Sequence, residues 1–170
     1  KTAYEIVSRD WSSDVCSSDL SFGTGLRESQ YMFPVVEGIH VLGLGASVGL
    51  VTWIDLRLVG AALTGTAAGD VIRPLRAFML GGFAVMAITG VMLFCSEAAR
   101  LYPSTTFRLK LAFLVVAGIN ALAFELRERR QGLVAADGFV LPTYAKVAGW
   151  VSLLAWMLVI VFGRWTAYGL

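Results

Sequence analysis

The chain has 170 residues, 57% of them hydrophobic and 15% charged, with a mean hydropathy of +0.72 and a formal net charge of +2. Soluble domains run at about 45–50% apolar and about 25% charged, so this composition departs in both directions and points to a membrane protein. The charges cluster between apolar runs, and basic groups in that position argue against a nucleic-acid surface.

The opening stretch, KTAYEIVSRDWSSDVCSSDL (1–20), places five Ser and three Asp around Cys16 and has no apolar period. A signal peptide needs an apolar run of about 7–15 residues, which this stretch lacks. It resembles a translated short-read sequencing adapter. The codons TGG AGT TCA GAC GTG TGC TCT TCC GAT read WSSDVCSSD, and AAG ACG GCA TAC GAG AT reads Lys1 to Ile6. An eight-base index fits between the two blocks in frame. Residues 1–20 are therefore expected to be an artefact without structure, and 21–170 the genuine chain, with its own start expected upstream of Ser21. Without Lys1, Arg9, Glu5, Asp10, Asp14 and Asp19 the formal charge rises from +2 to +4. Cys95 is then the one genuine cysteine, which leaves no intramolecular disulfide.

Four apolar runs follow, at about 31–53, 77–95, 107–124 and 147–163. Each is long enough to cross a hydrocarbon core about 30 Å thick at about 1.5 Å per residue. A soluble bundle would need a polar face on each helix, and AFMLGGFAVMAITGVMLF is apolar all round. The expected fold is all-α, a four-helix transmembrane bundle of up-and-down topology, with the lipid bilayer as its first partner. A turn is expected near Gly69-Asp70, a tight outer loop at 96–106 around Pro103, and a charged loop at 125–146. That loop carries a turn signal at Asp137-Gly138 and a helix start at Pro142-Thr143. Arg57, Arg73, Arg76, Arg127, Arg129, Arg130 and Lys146 fall on one side, against Arg27, Arg100, Arg108, Lys110 and Arg164 on the other. The bias puts the 57–76 and 127–146 loops in the cytoplasm.

Charged groups inside a span cost at least about 2.5–3.5 kcal/mol on insertion scales, so each asks for a reason. Glu37 and His40 are three apart on the first span and share a face that Leu44 and Ser47 continue. Pro34 sits near the helix start, where a missing N–H costs little. Lys110 opens the third span at the same level, so a Glu37–Lys110 ion pair is expected. Met86 and Met157 lie level with His40, Asn120 lies deeper, and Thr89 and Ser152 offer further hydrogen bonds. At the cytoplasmic end, Asp55 and Arg57 face apart and need partners elsewhere, with Glu125 the candidate for Arg57. Gly45 and Gly49, with Ala46 and Leu50 on the next stripe, and Gly81-Gly82 with Gly90 offer close helix approach.

No Cys pair, HExxH or GxxxxGK[ST] occurs, and a Ser–His–Asp site has no elbow motif. RESQYMFPVVEGIHVLGLG, DLRLVG, RPLRAFMLGGFAVMAITGVMLF, FRLKLAFLVVAGINALAF and GRWTAY together resemble a family of small bacterial integral membrane proteins, domain of unknown function 6644. The resemblance covers nearly all of 27–168, with the EGIH, DLRL, TGVMLF and FRLK elements in order. It implies four or more helices in a bacterial inner membrane, no established activity, and a start some twenty residues earlier. Family members often carry a second His at the end of the third helix, where this chain has Glu125.

Three functions are open to this sequence. One is a non-enzymatic membrane bundle whose polar core serves packing, assembly or a partner. Another is ion- or proton-coupled transport through Glu37, His40 and Lys110, or copper handling by His40 and the Met residues. The last is a b-type haem electron carrier with His40 as an axial ligand. Its second ligand would be Met86, Met157 or the His40 of a second copy in a homo-oligomer.

Overall fold

The computed structural model describes residues 25–26, 28–131 and 141–168. Residues 1–20 and the Asp137-Gly138 turn lie outside them, so the expectations placed there concern undescribed residues. The described residues form an all-α, four-helix bundle: α1 (Met32–Val59), α2 (Ala68–Leu101), α3 (Thr105–Gln131) and α4 (Thr143–Ala167). All four have the length and apolar composition of membrane spans.

Local chemistry sets the helix ends. Ser29 Oγ accepts the Met32 N–H at 3.0 Å, and Pro34 falls in the first turn, where its missing donor is not needed. α1 ends at Gly60, whose φ of 86° admits the left-handed cap and sends its N–H back to Leu56 and Arg57. The turn between α1 and α2 therefore lies at 60–67, not at Gly69-Asp70, which sit in the first turn of α2. Asp70 there complements the positive end of the helix. The expected outer loop at 96–106 shrinks to 102–104, because α2 continues to Leu101 through an irregular Glu97 (φ −126°, ψ 22°). Ser104 Oγ then accepts the Phe107 N–H at 3.4 Å and opens α3. α4 starts at the expected Pro142-Thr143 signal, with Pro142 as its N-cap.

Close packing joins α1 to α2, α1 to α4, and α3 to α4. Each pair runs antiparallel. His40 meets Thr89 while Ser47 meets Gly82, and Lys110 meets Gly163 while Asn120 meets Ala148. The α1–α2 seam runs through Val36, His40, Gly43 and Ser47, against Gly90, Met86 and Gly82. Gly45 and Gly49 are exposed with open space at the Cβ position, so the Gly45–Gly49 stripe is not the packing seam. α1 has turned so that Gly43 and Ser47 point inward instead.

Leu42, Phe78, Ile88, Val91, Ile119, Leu122 and Leu154 all face outward. A water-facing bundle would bury such side chains, whereas hydrocarbon accepts them at no cost. Aromatic residues gather at the two ends: Tyr31, Tyr102, Trp165 and Tyr168 at one, and Trp53, Tyr144 and Trp150 at the other. Arg108, Arg164 and Arg127 stack over Tyr102, Tyr168 and Tyr144 at 5.2–5.5 Å. Amphipathic rings and cations at these levels suit the two head-group regions of a bilayer.

Candidate functional site

Two apolar clusters stack along the bundle axis. One contains Val48, Val51, Ala117 and Trp156, the other Ile54, Leu58, Ile72 and Ala145, and Met79 packs against both. Where they meet, side chains from all four helices line a partly open cavity of about 340 Å³. Its roof is the Phe83–Trp156 stack, with ring centroids 5.2 Å apart.

The polar wall of this cavity is built from three helices. Asp55 of α1 is only 4% exposed. α4 comes close here because Gly149 has no side chain; a Cβ at that position would sit 3.1 Å from the Asp55 carbonyl oxygen. This approach brings the Ser152 hydroxyl to the Asp55 carboxyl, to which it donates a hydrogen bond. The second carboxyl oxygen, Oδ2, has no hydrogen-bond partner among the described residues. From α3, Asn120 donates through Nδ2 to the Ala148 carbonyl at 2.9 Å. An orphaned buried oxygen is costly enough to call for a reason.

One side of the cavity lies between α2 and α3, which are not closely packed. They meet through side chains, Phe94 on Phe107 at one end and Arg76 with Glu125 at the other. Arg76 and Glu125 both line the cavity and form an ion pair, and Arg129 Nε adds a second contact to Glu125 Oε1 at 2.9 Å. The expected Arg57–Glu125 pair is thus replaced by Arg76–Glu125. Arg57, only 2% exposed, turns to the 60–67 turn instead, where Nε donates to the Thr66 carbonyl at 2.7 Å.

A second polar layer lies toward the other end. His40 Nδ1 is 2.9 Å from Thr89 Oγ1, and its ring stands against Gly90, where an added Cβ would come within 3.3 Å. Lys110 crosses α4 at Gly163, its Cδ and Cε 3.4 Å from where a Cβ would be. Glu37 is exposed and forms no ion pair among the described residues, so the expected Glu37–Lys110 pair is absent. The reason is rotational. Val36, His40 and Gly43 occupy the seam, Glu37 falls outside it, and α1 packs on α2 and α4 but not on α3. Met86 lies beside Gly43, one turn from His40, whereas Met157 is 53% exposed. Among the described residues no three His, Cys, Asp or Glu side chains come together.

The sequence placed Asp55 among the ion pairs at a helix end, Asn120 in the polar core near His40, and Ser152 as a further hydrogen-bonder. Counting depth from that end of the bundle along each span would have put all three at one level. No family model, curated protein or solved structure matches the chain, so the family resemblance rests on the quoted residues alone.

Proposed function

We propose that this chain is a multi-pass, non-enzymatic bundle of the bacterial inner membrane that holds a small ligand in the cavity beside Asp55. The observation behind this reading is the buried Asp55 carboxyl, which lines the cavity and keeps one oxygen, Oδ2, buried without a hydrogen-bond partner among the described residues. Arg76 and Glu125 act as a clasp across α2 and α3. The order of the EGIH, DLRL, TGVMLF and FRLK elements supports the bacterial assignment, and the Lys and Arg bias supports the Asp55 end as the cytoplasmic one.

Thiol chemistry tests the reading. A cysteine reacts as its thiolate, which needs water. In the full chain with Cys16→Ser and Cys95→Ser, reconstituted in vesicles, Ala121→Cys lines the cavity and Leu122→Cys faces outward. N-ethylmaleimide should label the first and leave the second largely untouched. Equal reactivity at the two positions would refute a cavity reachable by solutes.

Ion-coupled transport is a second reading, favoured by Lys110. This half-buried cation lies between α3 and α4 against Gly163 and makes no ion pair among the described residues. Membrane-embedded charges of this kind mark ion pathways. Lys110→Met should abolish any ion flux in vesicles without unfolding the bundle.

A further inference from the structure

We infer that the crevice between α2 and α3 seats one anionic phospholipid, its phosphate at Arg76 and Arg129 and one acyl chain along the apolar walls beyond them. The site is the side opening of the cavity, and it stands whether or not a ligand binds beside Asp55.

The shape of the opening calls for a chain. α2 and α3 are not among the closely packed helix pairs, and the gap between them is walled by Met79 and Phe83 on one side and Leu114, Gly118 and Ala121 on the other. Gly118 and Ala121 are exposed, and a Cβ on Gly118 would meet nothing within 4 Å, so the α3 wall leaves room. Apolar walls facing an empty gap lose their contacts outright, and a hydrocarbon chain restores them. Charge then selects the lipid. Arg76 and Arg129 converge on a single carboxylate oxygen, Glu125 Oε1, two cations on one anion. Each guanidinium carries five N–H donors in a fork that fits phosphate, and one contact to Glu125 engages only part of it. Around them at this end stand five exposed cations, Arg73, Arg127, Arg129, Arg130 and Lys146, against one exposed carboxylate, Asp70, among the described residues. At the other end three exposed cations, Arg100, Arg108 and Arg164, meet two exposed carboxylates, Glu28 and Glu37. Basic pockets between membrane helices take anionic lipid head groups in this way. The level also fits, because Arg76 directly precedes the apolar run of α2. Phe83 lies seven residues further, about 10 Å along the helix, so a chain running inward from Arg76 passes the Phe83–Trp156 stack.

Brominated lipids test the site, because bromine quenches tryptophan fluorescence only at close range. In the full chain, Trp11→Phe, Trp53→Phe, Trp150→Phe and Trp165→Phe leave Trp156 as the one tryptophan, and the last three replace side chains that are about half exposed. The protein is placed in phosphatidylcholine vesicles. A small fraction of the lipid is then replaced by phosphatidylglycerol brominated midway along one acyl chain, or by phosphatidylcholine brominated at the same place. The anionic lipid should quench Trp156 saturably, at a mole fraction at least about fivefold lower than the zwitterionic one, as one cation in excess near the head groups implies. Arg129→Gln changes a side chain that is 73% exposed and leaves Arg76 and Glu125 as a neutral pair, and it should erase the preference. Arg164→Gln, at the opposite end, should leave the preference intact. Equal quenching by the two lipids, or quenching by neither, would overturn the site. A preference that survives Arg129→Gln, or falls equally in Arg164→Gln, would assign it to general surface charge and overturn the site as well. Failure of the cavity reading shows separately, as equal labelling of Ala121→Cys and Leu122→Cys.

Discussion

His40 Nδ1 meets Thr89 Oγ1 across the α1–α2 seam. The two atoms are 2.9 Å apart, and the Thr89 hydroxyl gives its own proton to the Val85 carbonyl one turn back, at 2.7 Å. Thr89 Oγ1 is then placed to accept, which favours the tautomer with the His40 proton on Nδ1. Nitrogen-15 spectra of the single histidine should show a pyrrole-like Nδ1 and a pyridine-like Nε2. Thr89→Val should shift the ring toward the other tautomer and destabilise the bundle by about 0.6–1 kcal/mol, the usual worth of an interhelical hydrogen bond in a membrane.

The glycines separate into two kinds. A Cβ at Gly149 would lie 3.0 Å from Val59 Cγ2 and 3.1 Å from the Asp55 carbonyl, whereas Gly45 and Gly49 have nothing within 4 Å. Gly149→Ala forces α4 off α1 and should cost about 1–3 kcal/mol, as overpacking does. Gly45→Ala and Gly49→Ala should change stability by less than about 0.5 kcal/mol. Unfolding in detergent by a denaturing surfactant measures all three, and a large loss at Gly45 or Gly49 would move the seam.

These contrasts show where the sequence was legible. Long apolar runs specify spans almost unaided, because every backbone group in hydrocarbon must bond within its own helix. The ends were less visible. α1 continues past Trp53 because Asp55 and Arg57 find partners inside the protein, and α2 tolerates Pro74. Facing was hidden altogether, since the outward side is as apolar as the inward one and periodicity then points nowhere. Glu37 therefore read as interior and Asp55 as an end anchor, and the structure reverses both. The Arg76–Glu125 pair was equally out of reach, because which helices stay loosely packed is a property of the whole bundle.

Arg76 and Glu125 should be coupled as a clasp. Their side chains are 39% and 27% exposed, so the pair is partly screened and worth about 1 kcal/mol or less. A double-mutant cycle with Arg76→Gln and Glu125→Gln should give a coupling of that size. Each single variant should also speed N-ethylmaleimide labelling at Ala121→Cys, because the α2–α3 side opens more often. Unchanged labelling would remove the clasp role and leave a surface ion pair.

The central claim is that Asp55 is kept for a ligand and not for the fold. A buried polar pair with one oxygen orphaned is a poor structural element, and replacing both partners of a buried hydrogen bond by apolar groups of similar shape can be nearly neutral or stabilising. The most direct measurement is the thermal midpoint of the double variant Asp55→Leu with Ser152→Ala, in lipid nanodiscs, against the unaltered chain. The account predicts a midpoint equal to or above that of the unaltered chain. A midpoint lower by the equivalent of about 2 kcal/mol or more would show that Asp55 and Ser152 hold α1 to α4, and would contradict the claim.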